Sequence, residues 1–372
     1  MSVPVLYVAL SLLAIGLVAG FVLHRSDFCL AGAFRDLFLF RSTFMLRPLL
    51  LLVVLAAVLF EVERQAGLID LPFPLFGPPT LFSLLGGGLF GLGMVLSGGC
   101  VIGVLYKLGS GSRPALLALA GLVLGSGLYA ELHQSVVPLL RSSTLTAAIT
   151  LPQLTGISAS WWVALFALFG GLWLWRWQSL GRLQRLSPVA GYLQPWKAAV
   201  LLALLGAASA AVSGVPFGVT TSYLKWMAGV EVVLAPAHVA SLPIYGTELV
   251  QMTLPFGGGL LSGGAGPALD AVALMQYPLI GGIVLGAALS SFFLGEWCWH
   301  GRVPSRQLAA AFAGGILMAF GARLTPGCNV WHLWGGLPVF ALQSLLFIAG
   351  LLPGAWLGSR LIVRIVLSKE PL

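Results

Sequence analysis

Apolar positions in this chain do not alternate with polar ones but gather in long runs, each broken by charged residues or by Pro and Gly. Runs of roughly 17 to 25 apolar residues cross a hydrocarbon layer about 30 Å thick as helices. Nine such spans are expected, at roughly 4–23, 48–62, 81–97, 114–130, 160–177, 197–213, 278–294, 307–322 and 338–363. Four shorter apolar segments, 29–40, 100–109, 217–229 and 328–336, are too interrupted to cross alone. They read as re-entrant pieces, which membrane depth tolerates only where protein buries them or they line a cavity.

Composition agrees with an all-α integral membrane protein. The 372 residues are 59% hydrophobic and 8% charged, with a mean hydropathy of +1.00, whereas soluble domains carry about 25% charged residues. The 48 glycines and 22 prolines suit closely packed, broken helices better than a barrel. Met1 to Gly20 lacks a basic n-region and a clear cleavage site, so it reads as the first membrane helix rather than a signal peptide. The net charge of +8 contains no basic run, which points to a lipid bilayer as partner and away from nucleic acid. With the N-terminus outside, Arg64, Arg141, Lys225 and Arg323 fall outside. The other Lys and Arg residues, Arg302 and Lys369 among them, fall inside. That bias favours N-out and C-in.

A pattern G-x-x-L-[ST]-x-G-C occurs twice, in GMVLSGGCVIG (Gly93 to Gly103) and GARLTPGCNVW (Gly321 to Trp331). Leu84 to Cys100 aligns with Phe312 to Cys328 without a gap, and one inserted residue later Gly121 to Leu128 aligns with Gly350 to Leu357. Four spans lie in each half and one between them, so the second half enters the membrane from the opposite side. The chain divides into a first membrane repeat (1–135), a linker with one transmembrane helix and a basic cytoplasmic loop (136–195), and a second, inverted repeat (196–372). Inverted repeats commonly place a substrate site near the midplane, built from discontinuous helices of both halves.

In each loop a helix ends, the chain turns at Gly99 (preceded by Gly98) or at Gly327, and a short helix begins near a cysteine. Ser97 and Thr325 can satisfy freed backbone groups. Helix starts aim N–H groups and the positive dipole end at the centre, which suits an anion. A thiol is a weak, polarisable donor suited to a soft partner such as sulfur or selenium. From the residues alone, the alternative that these cysteines are small core residues stays open. Cys29, Cys100, Cys298 and Cys328 lie far apart, with no C-x-x-C and no zinc-like spacing, so neither a disulfide framework, a metal nor a cofactor is expected. A third thiol segment, RSDFCLAGAFRDL (Arg25 to Leu37), has a weaker counterpart in Ser213 to Gly229, where Lys225 matches Arg35 and Val219 takes the thiol position. Arg25, Arg35, Lys107, Lys225 and Arg323 are candidates for attracting anions, with membrane anchoring the alternative for the arginines. Cys298, between Trp297 and Trp299, reads as a boundary residue. Glu231, Glu248 and His238 are the candidates for proton coupling, or else solvated groups.

On SDFCLAGAFRD around Cys29, LSGGCVIG around Cys100, GVPFGVTTSYLKW from Gly214 and LTPGCNVW around Cys328, the chain resembles the YeeE/YedE family of sulfur-compound transporters. The resemblance implies uptake of thiosulfate or a related sulfur anion across a prokaryotic cytoplasmic (inner) membrane by an hourglass-shaped protein. It carries over Cys29, Cys100 and Cys328 as the thiols of a narrow central path, and leaves out Cys298. Some members are associated with selenium metabolism, and the motifs do not separate the branches. A relay between neutral S–H groups needs no covalent step. The rivals are a membrane sulfurtransferase using Cys persulfides and a thiol oxidase, the latter lacking the C-x-x-C pair it would want. No nucleotide-binding loop is present. A small cytoplasmic thiol sulfur-carrier protein is a plausible partner, for which the basic loop from Arg176 to Lys197 offers a docking place.

Overall fold

Small residues decide how the helices of this chain approach one another. The computed structural model describes residues 3–185, 189, 191–255, 260–299 and 303–367. Arg302, Lys369 and part of the basic loop between Arg176 and Lys197 therefore lie outside the described residues. The first half holds α1 (Val3–Ser26), α2 (Leu30–Phe40), α3 (Leu46–Gln65), α4 (Leu81–Leu96), α5 (Val101–Gly109) and α6 (Arg113–Ser142). A short α7 (Leu151–Thr155) and α8 (Ala159–Ser179) follow. Then come α9 (Pro195–Ser213), α10 (Thr221–Leu234), the short α11 (Pro236–Ser241) and α12 (Pro243–Gly246), and the strands β1 (Glu248–Thr253) and β2 (Leu260–Gly264). The chain continues through α13 (Ala271–Phe293), α14 (Ser305–Leu324), a π-helical turn (Trp331–Gly336) and α15 (Leu342–Ile362).

Among the described residues, 7 segments are long and apolar enough to cross a membrane, and they fall on α1 with α2, α4 with α5, α6, α9, α13, α14 and α15. The expected spans 48–62 and 160–177 lie in α3 and α8, which are not among them. α3 is apolar in its middle but carries the charges Arg47, Glu61, Glu63 and Arg64 toward its ends, and α8 is rich in tryptophan. The four short apolar segments coincide with α2, α5, α10 and the π-helical turn.

The chain is mostly helical, in keeping with the all-α expectation, and adds one small two-stranded sheet. β1 and β2 form an antiparallel hairpin, with Met252 paired to Leu261. It escapes a hydropathy reading because ELVQMT and LLSGG are short apolar pieces in an apolar chain. Lys225 and Asp270 fasten it: Lys225 Nζ donates to the carbonyls of Gly264 (3.1 Å) and Gly266 (2.7 Å) and to Asp270 Oδ2 (2.8 Å), and Gly264 N donates to the same carboxylate.

Glycine sets the helix pairing, because its missing Cβ lets backbones touch. Gly16 and Gly20 of α1 meet Leu279 and Ile283 of α13, while Gly282 and Gly286 meet Leu13 and Leu17, so α1 and α13 run parallel. α4 runs parallel to α15, with Gly87 against Phe347 and Gly91 against Leu351. α6 runs parallel to α14, with Gly121 against Phe312 and Gly125 against Ile316. α4 and α14 are antiparallel, since Gly86 meets Gly321 and Gly93 meets Gly314. Gly87→Ala is therefore expected to lower thermal stability in detergent, because its methyl would enter the Phe347 backbone, an overpacking that costs about 1–3 kcal/mol. The neighbouring Gly88→Ala, whose methyl would find only the Gly350 carbonyl at 3.7 Å, should be neutral in the same melting assay.

Candidate functional site: a thiol constriction between two cavities

Each repeated loop ends a helix and starts another around one left-handed glycine. In the first loop that residue is Gly98 (φ +70), and in the second it is Gly327 (φ +126). The expected turn at Gly99 is corrected to Gly98. The cause of the offset lies in the second loop, where Pro326 occupies the position of Gly98 and its ring locks φ near −65°, so the positive φ passes to Gly327. Both loops still make the same closing bond five residues back, from Gly99 N to the Met94 carbonyl (3.1 Å) and from Gly327 N to the Ala322 carbonyl (3.0 Å). The Ser97 hydroxyl donates to the Gly99 carbonyl at 2.7 Å, and Thr325 Oγ1 to the Ser83 carbonyl at 3.4 Å.

Cysteine takes the capping place that Ser or Asp usually holds. Cys100 is the N-cap of α5, its Sγ accepting from Gly103 N at 3.4 Å, and Cys29 is the N-cap of α2, its Sγ accepting from Gly32 N at 3.4 Å. Cys328 opens the second-half turn, its carbonyl accepting from His332 N at 3.0 Å. All three are buried. Gly103 sits between two of them: a methyl there would lie 3.5 Å from Cys100 Sγ and 3.6 Å from Cys29 Sγ. Cys100 is in turn within electrostatic reach of both Cys29 and Cys328. Three sequence-distant thiols thus share one neighbourhood, whereas Cys298 is exposed at the end of the bundle between Trp297 and Trp299.

Cavities approach this neighbourhood from two ends. One, of about 400 Å³, is lined by Leu12, Arg141, Arg323, Cys328 and Trp331 among others. The other, of about 530 Å³, is lined by His24, Arg25, Tyr106, Lys107 and Arg185. Leu12 and His24 belong to the same helix and are separated by about 18 Å at 1.5 Å per residue. Against Cys100 and Gly103 there is also an apolar void of about 20 Å³, bounded by Leu23, Phe28, Val330 and Trp334.

The basic candidates have different surroundings. Arg323 Nη2 donates to the Thr220 carbonyl beside Cys328, and Lys107 Nζ donates to the Gly98 carbonyl at 2.5 Å. Arg25 donates to Ser290 Oγ (3.1 Å) and the Gly191 carbonyl (3.2 Å). Arg35 is paired with Asp36 at 2.8 Å. Lys225 is buried in its pairing with Asp270, far from a mobile cation at a mouth. Sequence reasoning passed over Tyr223, Asn329, Trp331 and His332, each carrying a buried polar atom without a hydrogen-bond partner. The available signal was their clustering in GVTTSYLKW and TPGCNVWHLW, polar tips in otherwise apolar sequence. No group of three or more His, Cys, Asp or Glu suited to a metal occurs among the described residues.

Of the proton-coupling candidates, His238 on α11 pairs with Glu131 (2.7 Å) and Glu231 accepts from the Tyr245 hydroxyl (2.8 Å); the Glu248 side chain lies outside the described residues. The Glu131 hydrogen bond and charge raise the His238 pKa above its usual 6.5. A raised histidine pKa means the pairing is fully present below pH 6.5 and is lost as pH rises through the higher folded value. NMR titration of the ring should show that raised midpoint in the native protein and a return toward 6.5 in Glu131→Gln.

A polytopic helical membrane protein that gathers buried thiols between opposed cavities belongs to the class of transporters built on broken helices. A family model described as sulphur transport matches residues 25–357. Two relatives align over nearly their whole lengths. The thiosulfate transporter TsuA of Spirochaeta thermophila is 30% identical, over 93% of this chain and 97% of that protein. The thiosulfate transporter TsuA of Escherichia coli is 26% identical, over 95% and 94%. The probable transporter YedE of Salmonella typhimurium matches over 61 residues at 39% identity, 16% of this chain. The chain belongs to the YeeE/YedE family of sulphur transport proteins.

Proposed function

We propose that this protein takes up thiosulfate across a prokaryotic inner membrane, passing the anion along Cys328, Cys100 and Cys29 without covalent attachment. The observation that carries the proposal is the convergence of those three thiols, with Gly103 between two of them and cavities reaching inward from both ends. A thiol with an ordinary pKa near 8.5 is neutral at pH 7. Each S–H contact contributes on the order of 1 kcal/mol, enough to admit a soft anion and weak enough to release it. Arg323 draws the anion into the outer cavity, and Arg25, Lys107 and Arg185 line its exit toward a small thiol carrier protein.

The accompanying architecture is an hourglass of nine spans in two inverted repeats, N-terminus outside, with α2, α5, α10 and the π-helical turn re-entrant. Its support is the antiparallel pairing of α4 with α14 and the reciprocal packing of α4 on α15 and of α14 on α6. Uptake of labelled thiosulfate into proteoliposomes tests the proposal. Saturable uptake above empty vesicles, with sulfate a poor competitor, is the expected result. Sulfate competing as well as thiosulfate, or no uptake, would overturn it.

A further inference from the structure

Around Cys328 the protein buries more hydrogen-bond donors than it pairs. Trp331 Nε1 and Arg323 Nε are shielded and have no partner, and both residues line the 400 Å³ cavity that reaches Cys328. The Tyr223 hydroxyl is also buried and unpaired, within electrostatic reach of Cys328 and Cys100. Buried polar groups are nearly always satisfied, because leaving one unmade forfeits its hydration. An indole serving only as packing could be a phenyl ring at no such cost.

The tryptophan is also held in position. Its ring stacks on Phe76 with centroids 4.9 Å apart, and only 4% of the residue is exposed. Its pyrrole edge abuts the loop that presents the thiol, since a Cβ on Gly327 would run into Trp331 Cγ and Cδ1. Cδ1 is bonded to Nε1, so the unpaired N–H lies on the edge turned toward the Cys328 loop.

We propose that Trp331 Nε1 and Arg323 Nε bind the oxygen end of the transported anion, with Tyr223 Oη the next donor inward, while its terminal sulfur faces Cys328. This deepens the thiosulfate function proposed above and rests on it. The division of labour follows from donor chemistry: N–H and phenolic O–H groups favour the hard sulfonate oxygens, and the thiol favours the soft sulfur. Sulfate satisfies only the oxygen donors, so recognition requires both ends. One neutral donor beside one cation grips the oxygens without trapping a doubly charged ion.

The test compares wild type with Trp331→Phe, which keeps the stacking ring and removes the N–H. Thiosulfate uptake in proteoliposomes gives the half-saturation concentration and the maximal rate, and a thermal melt reports the fold. Trp331→Phe is expected to raise half-saturation roughly tenfold, as for the loss of one hydrogen bond to a charged group, with maximal rate and melting temperature kept. An unchanged half-saturation, or a fall in maximal rate and melting temperature alone, assigns Trp331 to packing and overturns the inference. If Trp331→Phe does not assemble, Tyr223→Phe decides by the same criterion. Wild type that takes up no thiosulfate removes the functional proposal and this inference together, whereas active wild type with an unaltered variant removes only the inference.

Discussion

Thiosulfate uptake is expected to fall to background when Cys100 and Cys328 are both replaced by alanine. Each thiol supplies a contact on the order of 1 kcal/mol, about a fivefold rate effect on its own, and the double change also breaks the continuity of soft donors between the cavities. The fold should tolerate the loss. Cys100 Sγ accepts the Gly103 amide at 3.4 Å, a weak cap whose removal costs at the lower end of roughly 0.5–2 kcal/mol. The serine pair provides the sharper comparison, because a hydroxyl caps a helix at least as well as a thiol but is a harder donor. Folded, membrane-inserted Ser variants that transport poorly would isolate the sulfur atom as the requirement. Initial rates equal to wild type in either pair would show that the cysteines only pack.

Gly103→Ala should separate stability from transport. In α5 the change removes a flexible residue and is worth at most about 1 kcal/mol in helix propensity, so the melting temperature should hold or rise slightly. The new methyl meets Cys100 Sγ at 3.5 Å and Cys29 Sγ at 3.6 Å, which is ordinary contact and no clash. It nevertheless fills the space through which an anion would pass from one thiol to the other, and uptake should drop roughly tenfold or more, since interiors have few voids that can yield. A stable variant with full uptake would place the path elsewhere.

Much of this arrangement was legible in the sequence because hydropathy and glycine punctuation act locally. The short segments at 29–40, 100–109, 217–229 and 328–336 emerge as separate helical pieces, three of them after local Gly or Pro breaks at Gly98–Gly99, Gly214–Pro216 and Pro326–Gly327 and the first after the polar break Ser26–Asp27. Two things were hidden. The hairpin of Glu248–Thr253 with Leu260–Gly264 depends on Lys225 and Asp270, partners 45 positions apart, and Lys225 viewed alone resembles any membrane-flanking cation. The nearness of Cys29 to Cys100, on either side of Gly103, joins residues distant in the sequence, which no local pattern reports. Trp331 and Tyr223 were passed over because periodicity reports the ring and is silent about the polar tip.

Cys298 gives the molecule a chemical handle. The other three cysteines are buried and it alone is exposed, so a bulky, charged maleimide should couple to the unmodified protein at one position. In the N-out topology proposed above that position faces the cell interior. Intact cells should therefore leave it unlabelled and permeabilised cells should label it, reporting sidedness without an engineered tag and without touching the thiols that transport is proposed to use.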